Sequence, residues 1–253
     1  MLSKAKIKYI HSLELKKKRS EEHAFVAEGP KLVGDLLGYF SCKLLIALPE
    51  WLKLHPEVRA NEIIEITPEE LAKASFLKTP QEVLAVFEQK ESSWNASFPA
   101  QSLCLALDGI QDPGNLGTII RLADWFGIEH IYCSSNTVDA YSPKVVQASM
   151  GGLARVNLYY GSLTDLISSL DNDVPVYGTF LNGENIYRQS LSQHGLIIMG
   201  NEGNGVSSEV EAFITRRLYI PNYPMERETS ESLNVAVATA IVCAEFRRQT
   251  FKL

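Results

Sequence analysis

Past residue 102 the chain alternates between short apolar runs and helical patterns, and this alternation limits the fold more than any other feature. Leu103–Leu107, His130–Cys133, Val156–Tyr159, Val174–Thr179, Gly195–Met199 and Leu218–Ile220 read as strands. Helical segments lie between them at Leu116–Phe126, Pro143–Met150, Leu163–Leu170 and Ser208–Ile214, and a long helix from about Leu233 to Gln249 closes the run. In the first of these, Leu116, Ile119, Ile120 and Ala123 share one face and Gly127 is a C-terminal stop. Strands that alternate with helices imply a mostly parallel sheet with helices on both faces. In such sheets ligands sit beyond the carboxyl ends of the strands.

A polar stretch, Gln89–Ser102, breaks the periodicity and reads as a linker. Before it, His23–Ala27, Leu44–Leu48, Glu62–Ile66 and Val83–Glu88 have strand character. Pro30–Leu37 and Pro68–Ala74 are helix candidates with proline at the first position. The expected organisation is a small α/β domain over 1–90, a linker over 91–102 and a larger α/β domain over 103–253.

The chemistry narrows quickly. No apolar run approaches the roughly 20 residues that span a bilayer, and the lysine-rich N-terminus has no apolar core for a secretory signal. Cys42, Cys104, Cys133 and Cys243 lack C-x-x-C spacing, which points to a reducing, cytoplasmic setting and buried thiols. The five histidines (11, 23, 55, 130, 194) form no metal spacing, so no metal is expected. Net charge is −6, yet Lys4, Lys6, Lys8, Lys16, Lys17, Lys18 and Arg19 face only Glu14 within the first twenty residues. Such a segment either docks on a phosphate backbone or forms a solvated helix face.

Three polar clusters fall at strand ends: Asp108–Gly117 leading into Arg121, Gly200–Gly205, and Ile220–Asn234. The loop Gly200-Asn201-Glu202-Gly203-Asn204-Gly205 has the glycine order G-x-x-G-x-G, not the dinucleotide-binding G-x-G-x-x-G, and it carries a carboxylate where a phosphate loop would not. There is no G-x-x-x-x-G-K-[ST] and no G-x-S-x-G nucleophile elbow.

Asn115-Leu116-Gly117 with Arg121, then Gly200-Asn201-Glu202-Gly203, then Ser232-Leu233-Asn234-Val235 before a helix, resembles the three motifs of the SpoU/TrmH family of RNA ribose 2′-O-methyltransferases. Gln147-Ala148-Ser149-Met150-Gly151 fits the family's linking segment, and the likeness covers 103–250. Lys18-Arg19 through Phe25-Val26-Ala27-Glu28-Gly29-Pro30 resembles the opening of the L30e-like substrate-binding domain that many members carry. The resemblance implies a SPOUT domain with a C-terminal deep trefoil knot, S-adenosylmethionine as methyl donor, ribosomal or transfer RNA as substrate (ribosomal favoured), and a homodimer through the C-terminal domain.

Residue by residue, the resemblance assigns Arg121, Asn115, Glu202, Ser232 and Asn234 to catalysis. Thr179, Phe180, Leu181, Gly200, Asn201, Gly203, Ile220 and Leu233 are assigned to the cofactor, and Lys16, Lys17, Lys18 and Arg19 to RNA. Arg121 is expected to grip a phosphate and orient the hydroxyl; the general-base role proposed in the family would require a strongly lowered pKa, because a guanidinium stays protonated in ordinary settings. Glu202 is expected to hold Asn115 or Arg121, and Ser232 and Asn234 also suit a helix N-cap. One departure stands out: Asn222–Glu231 is longer than the family's short Met-x-Gly segment and has no glycine. The rival reading is a non-catalytic RNA-binding or assembly protein on a degenerate domain.

Overall fold

The computed structural model describes residues 1–90, 94–201, 203–224 and 232–250; Glu202 and residues 225–231, to which the sequence assigned a catalytic role and a lengthened loop, lie outside these. In chain order the first elements are α1 (Lys4–Ser12), α2 (Lys16–Glu22), β1 (Ala24–Glu28), α3 (Pro30–Leu37), β2 (Cys42–Ala47), α4 (Pro49–Leu54), β3 (Ile63–Glu65), α5 (Pro68–Ala74) and β4 (Val83–Glu88). There follow α6 (Phe98–Gln101), β5 (Leu103–Asp108), α7 (Pro113–Trp125), β6 (His130–Ser134), α8 (Pro143–Ala148), β7 (Asn157–Gly161) and α9 (Leu163–Ser168). The last are β8 (Val176–Asn185), β9 (Gly195–Gly200), α10 (Ser208–Glu211), β10 (Arg216–Tyr219) and α11 (Val235–Thr250).

Two compact units result: residues 1–91 with 139–155, and residues 92–138 with 156–253. The first therefore includes a segment that lies far along the chain, where the sequence suggested a boundary near residue 90. Its sheet has the order β1-β4-β2-β3, with β4 antiparallel to both neighbours and β3 parallel to β2. Ile10 and Leu13 pack with Val26, Ile46, Leu71 and Leu84 to form its core. Proline opens α3 and α5, as expected, and α5 starts on a capping box between Thr67 and Glu70.

Helices α1, α2, α4 and α6 were not anticipated. The lysines of α1 obscure the spacing of Ile7, Ile10 and Leu13, and α2 (KKKRSEE) has no apolar residue at all. Its one buried residue is Arg19, 2% exposed. The Arg19 Nε donates to Asp139 Oδ2 at 2.9 Å, and Nη1 donates to the carbonyls of Leu13 at 2.9 Å and Glu14 at 2.6 Å. This corrects the RNA-binding assignment of Arg19: its guanidinium ties α2 to the 139–155 segment and the end of α1, and offers no charge to solvent. Lys16, Lys17 and Lys18 remain exposed.

The second unit is a six-stranded sheet in the order β10-β8-β9-β5-β6-β7, with every pair parallel. The six expected strands all form, and β5 lies centrally, so the crossovers run outward on both sides. Asp108 at the end of β5 is in register with Gly200 at the end of β9. Helix α7 packs against α11. The Arg247 guanidinium of α11 donates to the carbonyls of Phe126 (2.6 Å) and Gly127 (2.9 Å), which caps the α7 C-terminus.

Strand β8 has a long interruption. Gly178 pairs with Arg217 of β10, and the next paired residues are Glu184 and Leu218. Residues 179–183 thus leave the ladder as an excursion while β10 advances by one residue. Glycine is required where the chain returns: a Cβ on Gly183 would lie 2.5 Å from the Leu218 carbonyl carbon. All four cysteines are buried free thiols, and burial pushes those of Cys42, Cys104 and Cys243 up to about 12. Among the described residues no helix is long and apolar enough to cross a membrane.

Candidate active site

The excursion from β8, the loop after β9 and the residues after β10 meet at one end of the sheet. There they enclose a cavity of ≈ 580 Å³. Thr179, Phe180, Leu181, Gly200, Asn201, Gly203, Ile220 and Leu233 all line it, joined by Ser232 and by Val235 and Ala238 of α11. The volume falls within the roughly 300–1,000 Å³ usual for small-molecule sites. None of the described lining side chains is charged. Leu181 and Leu233, 75% and 48% exposed, present apolar surface that a flat heterocycle would cover.

The loop after β9 is closed upon itself. Asn201 and Gly205 exchange backbone hydrogen bonds of 2.8 and 2.9 Å. Asn201 Oδ1 accepts from the amides of Gly203 (2.9 Å) and Asn204 (3.1 Å), and its Nδ2 donates to the Gly109 carbonyl at 2.8 Å. The Asn201 side chain is thus committed to shaping the loop and fastening it to the end of β5. Gly200 is required for a related reason: a Cβ there would stand 2.3 Å from the Gly205 carbonyl carbon. The close approach that demands glycine at 200 is therefore the loop's own backbone, where the sequence suggested the ligand. A second tie comes from Asp108, 8% exposed, whose Oδ2 accepts from the Ser207 amide at 2.7 Å. Nothing in the spacing of the motifs pointed to Asp108 as the anchor of this loop.

Asn234 fills the N-cap role expected of it and also reaches a second motif. Its Oδ1 accepts from the amides of Ala236 (3.0 Å) and Val237 (3.2 Å) at the start of α11. Its Nδ2 donates to Asn115 Oδ1 at 2.9 Å, across 119 residues of sequence. Asn115 lies in the first turn of α7, whose N-cap Asp112 accepts from the Asn115 amide at 2.8 Å. Two motifs that are distant in the chain are joined by this one bond beside the cavity lip at Leu233. Ser232 is exposed at the lip. Arg121 is not among the lining residues. It is exposed on α7, two helical turns from the N-terminus, and among the described residues it has neither hydrogen bond nor ion pair.

This geometry defines an α/β unit with a small-molecule cavity lined, among the described residues, by backbone, apolar and neutral polar groups, with Arg121 exposed on α7 outside it. The profile of the SpoU rRNA Methylase family matches residues 102–244, and that of the MRM3-like substrate binding domain matches residues 4–85. The chain belongs to the SpoU rRNA methylase family.

Among its relatives is the 23S rRNA (guanosine(2553)-2′-O)-methyltransferase RlmP of Bacillus subtilis, 29% identical, with 96% of each chain covered. A TrmH-family structure from Porphyromonas gingivalis superposes with a TM-score of 0.87 at 42% identity, over 98% of this chain and 99% of that one. An AdoMet-bound rRNA methyltransferase from Sinorhizobium meliloti gives 0.85 at 30% identity, over 100% of this chain and 97% of that one.

Proposed function

We propose that this methyltransferase moves a methyl group from S-adenosylmethionine to a ribose 2′-hydroxyl of RNA, with ribosomal RNA the favoured substrate. The observation that carries the reading is the cavity at the ends of β8, β9 and β10, uncharged among its described lining residues, with the Asn115–Asn234 bond at its lip. The residues fit the donor: Leu181, Ile220 and Leu233 suit the adenine faces, and the backbone around Thr179 and Gly200 suits its polar edges. When bound, the donor supplies an electrophilic methyl on a sulfonium, so the protein has only to hold both reactants in line.

In this reading Arg121 grips the phosphate beside the target nucleotide and aligns the hydroxyl. Asn115 and Asn234, which fix one another, offer amide groups to the ribose, with Ser232 beside them, and Glu202, outside the described residues, keeps the catalytic role that its motif implies. Lys16, Lys17 and Lys18 bind RNA from the first unit. The relatives' names support ribosomal RNA. The protein works in the cytoplasm as a homodimer through the C-terminal domain, which carries the family's knot. Exposed Trp125 on α7 (83%) and Val237 on α11 (50%) give such an interface its apolar surface.

The test is Arg121→Ala, assayed with labelled S-adenosylmethionine on ribosomal RNA transcribed in vitro. Turnover is expected to fall about 10²–10³-fold, the usual loss for a preorganised charge contact at the reacting group, with donor affinity unchanged. Turnover near wild type would remove Arg121 from the mechanism. Calorimetric titration of the wild-type protein with the donor separates this reading from a non-catalytic RNA-binding protein, which would show no heat of binding.

A further inference from the structure

The excursion of residues 179–183 supplies three lining residues of the cavity but has no ladder partner on either side, since β8 pairs with β9 only through Gly178 and resumes with β10 at Glu184. Side-chain contacts from β10 help to set its shape. One residue reaches two of its members. The guanidinium carbon of Arg217, on β10, stands 3.7 Å from the centroid of the Phe180 ring, and its Nη2 donates to Asn182 Oδ1 at 2.9 Å. Nη1 donates to Glu211 Oε1 at 2.6 Å, which holds the fork in place from α10. From the other side the ring presses on Gly178, where a Cβ would lie 2.8 Å from Phe180 Cε2 and 2.5 Å from Ile214 Cδ1.

We infer that Arg217 is a positioning residue for the methyl donor: by clamping Phe180 and Asn182 it sets the wall of the cavity formed by Thr179, Phe180 and Leu181. This rests on the cavity being the donor pocket. Arg217 is not itself a lining residue, so it acts through Phe180. As an ion pair alone, Arg217–Glu211 would matter little, because both side chains are over one-third exposed. The stacked, doubly hydrogen-bonded arrangement is different. A planar guanidinium can cover a ring and donate at two edges at once, whereas an ammonium keeps only part of this.

The experiment compares wild type, Arg217→Ala, Arg217→Lys and Asn182→Ala. Donor affinity is measured by calorimetry, and KM for the donor and kcat on transcribed ribosomal RNA by methyl transfer. Arg217→Ala is expected to raise Kd and KM for S-adenosylmethionine about tenfold, with kcat at saturating donor within about twofold of wild type. Arg217→Lys is expected to fall between the two. Asn182→Ala removes one of the contacts and, if Arg217→Ala fails to fold, carries the test with a two- to threefold rise in Kd. Affinity unchanged in these variants, or kcat lost with KM unchanged, overturns the inference. A wild-type protein that binds no donor overturns the underlying reading as well, and that result is visible before any variant is made.

Discussion

The two units use arginine in opposite ways. In the first, Arg19 is 2% exposed, and its donors are spent on Asp139 and on the last carbonyls around α1. In the second, Arg121 is exposed on α7 with no partner among the described residues. A buried, saturated guanidinium holds chain together, while an exposed one in a site built of backbone and amides is available to a substrate phosphate. The difference lies in the neighbours each residue is given. Arg19 has a carboxylate brought to it from residue 139. Arg121 has a helix whose other polar side chain near the site, Asn115, is committed to Asn234.

The sharpest way to break this comparison is at Asp139. Asp139→Ala would leave the Arg19 charge buried without its counter-ion, and the expected loss of stability is about 3–5 kcal/mol. Urea denaturation followed by circular dichroism measures it, and a loss below about 1 kcal/mol would mean that Arg19 is held by carbonyls alone. Arg121→Ala should leave the same denaturation curve within about 0.5 kcal/mol of wild type, as exposed substitutions do, while methyl transfer collapses. The two arginines would thereby separate cleanly into a stability phenotype and an activity phenotype.

How much of this could be read from the chain follows from the same contrast. The strands of the second unit were legible because a parallel sheet buries continuous apolar runs, whereas the residues expected at the donor came from the family resemblance, whose motifs fall at strand ends that converge at one edge. Hence Thr179–Leu181, Gly200, Ile220 and Leu233, far apart in sequence, line a single cavity. What stayed hidden were pairings that no local pattern encodes: Arg19 with Asp139, Asp108 with the Ser207 amide, Arg247 with the end of α7, and Arg217 with Phe180. Each joins residues whose neighbourhood exists only after folding. The basic run misled for the same reason, since charge density alone does not say which cation meets a carboxylate.

A smaller effect sharpens the view of how the cavity is walled. Gly183→Ala would place a methyl 2.5 Å from the Leu218 carbonyl carbon, and backbone at that distance cannot step aside like a flexible side chain. The expected cost is about 1–3 kcal/mol of overpacking, with weaker donor binding because the 179–183 excursion must shift. Gly38 offers the control. Among the described residues a Cβ there meets nothing within 4 Å, so Gly38→Ala should be mild. Thermal denaturation with and without S-adenosylmethionine checks both. Equal behaviour of the two variants would mean that the close return of β8 onto β10 at Gly183 is not what shapes the pocket.

The smallest effects are expected at Lys16, Lys17 and Lys18, and they test whether exposed charge in the first unit serves RNA. All three lie in the first turn of α2, where lysine opposes the helix dipole. Lys18 is partly compensated by Glu21 at 2.6 Å, Lys17 only weakly by the same carboxylate at 3.9 Å, and Lys16 has no ion pair among the described residues. Replacing Lys16 with Gln should therefore raise stability slightly, by about a few tenths of a kcal/mol, with less gain at Lys17 and none at Lys18, which loses its Glu21 pair. If the lysines meet phosphates, each replacement should also lower the slope of log affinity against log salt by about 0.7–0.9. Lys16→Gln should weaken RNA binding the most and Lys18→Gln the least, because a lysine already engaged by Glu21 has less charge to offer. Filter binding at several salt concentrations reads the slope, and donor affinity should not move. A triple variant with an unchanged slope would show that these lysines, like Arg19, belong to the fold and not to the RNA surface.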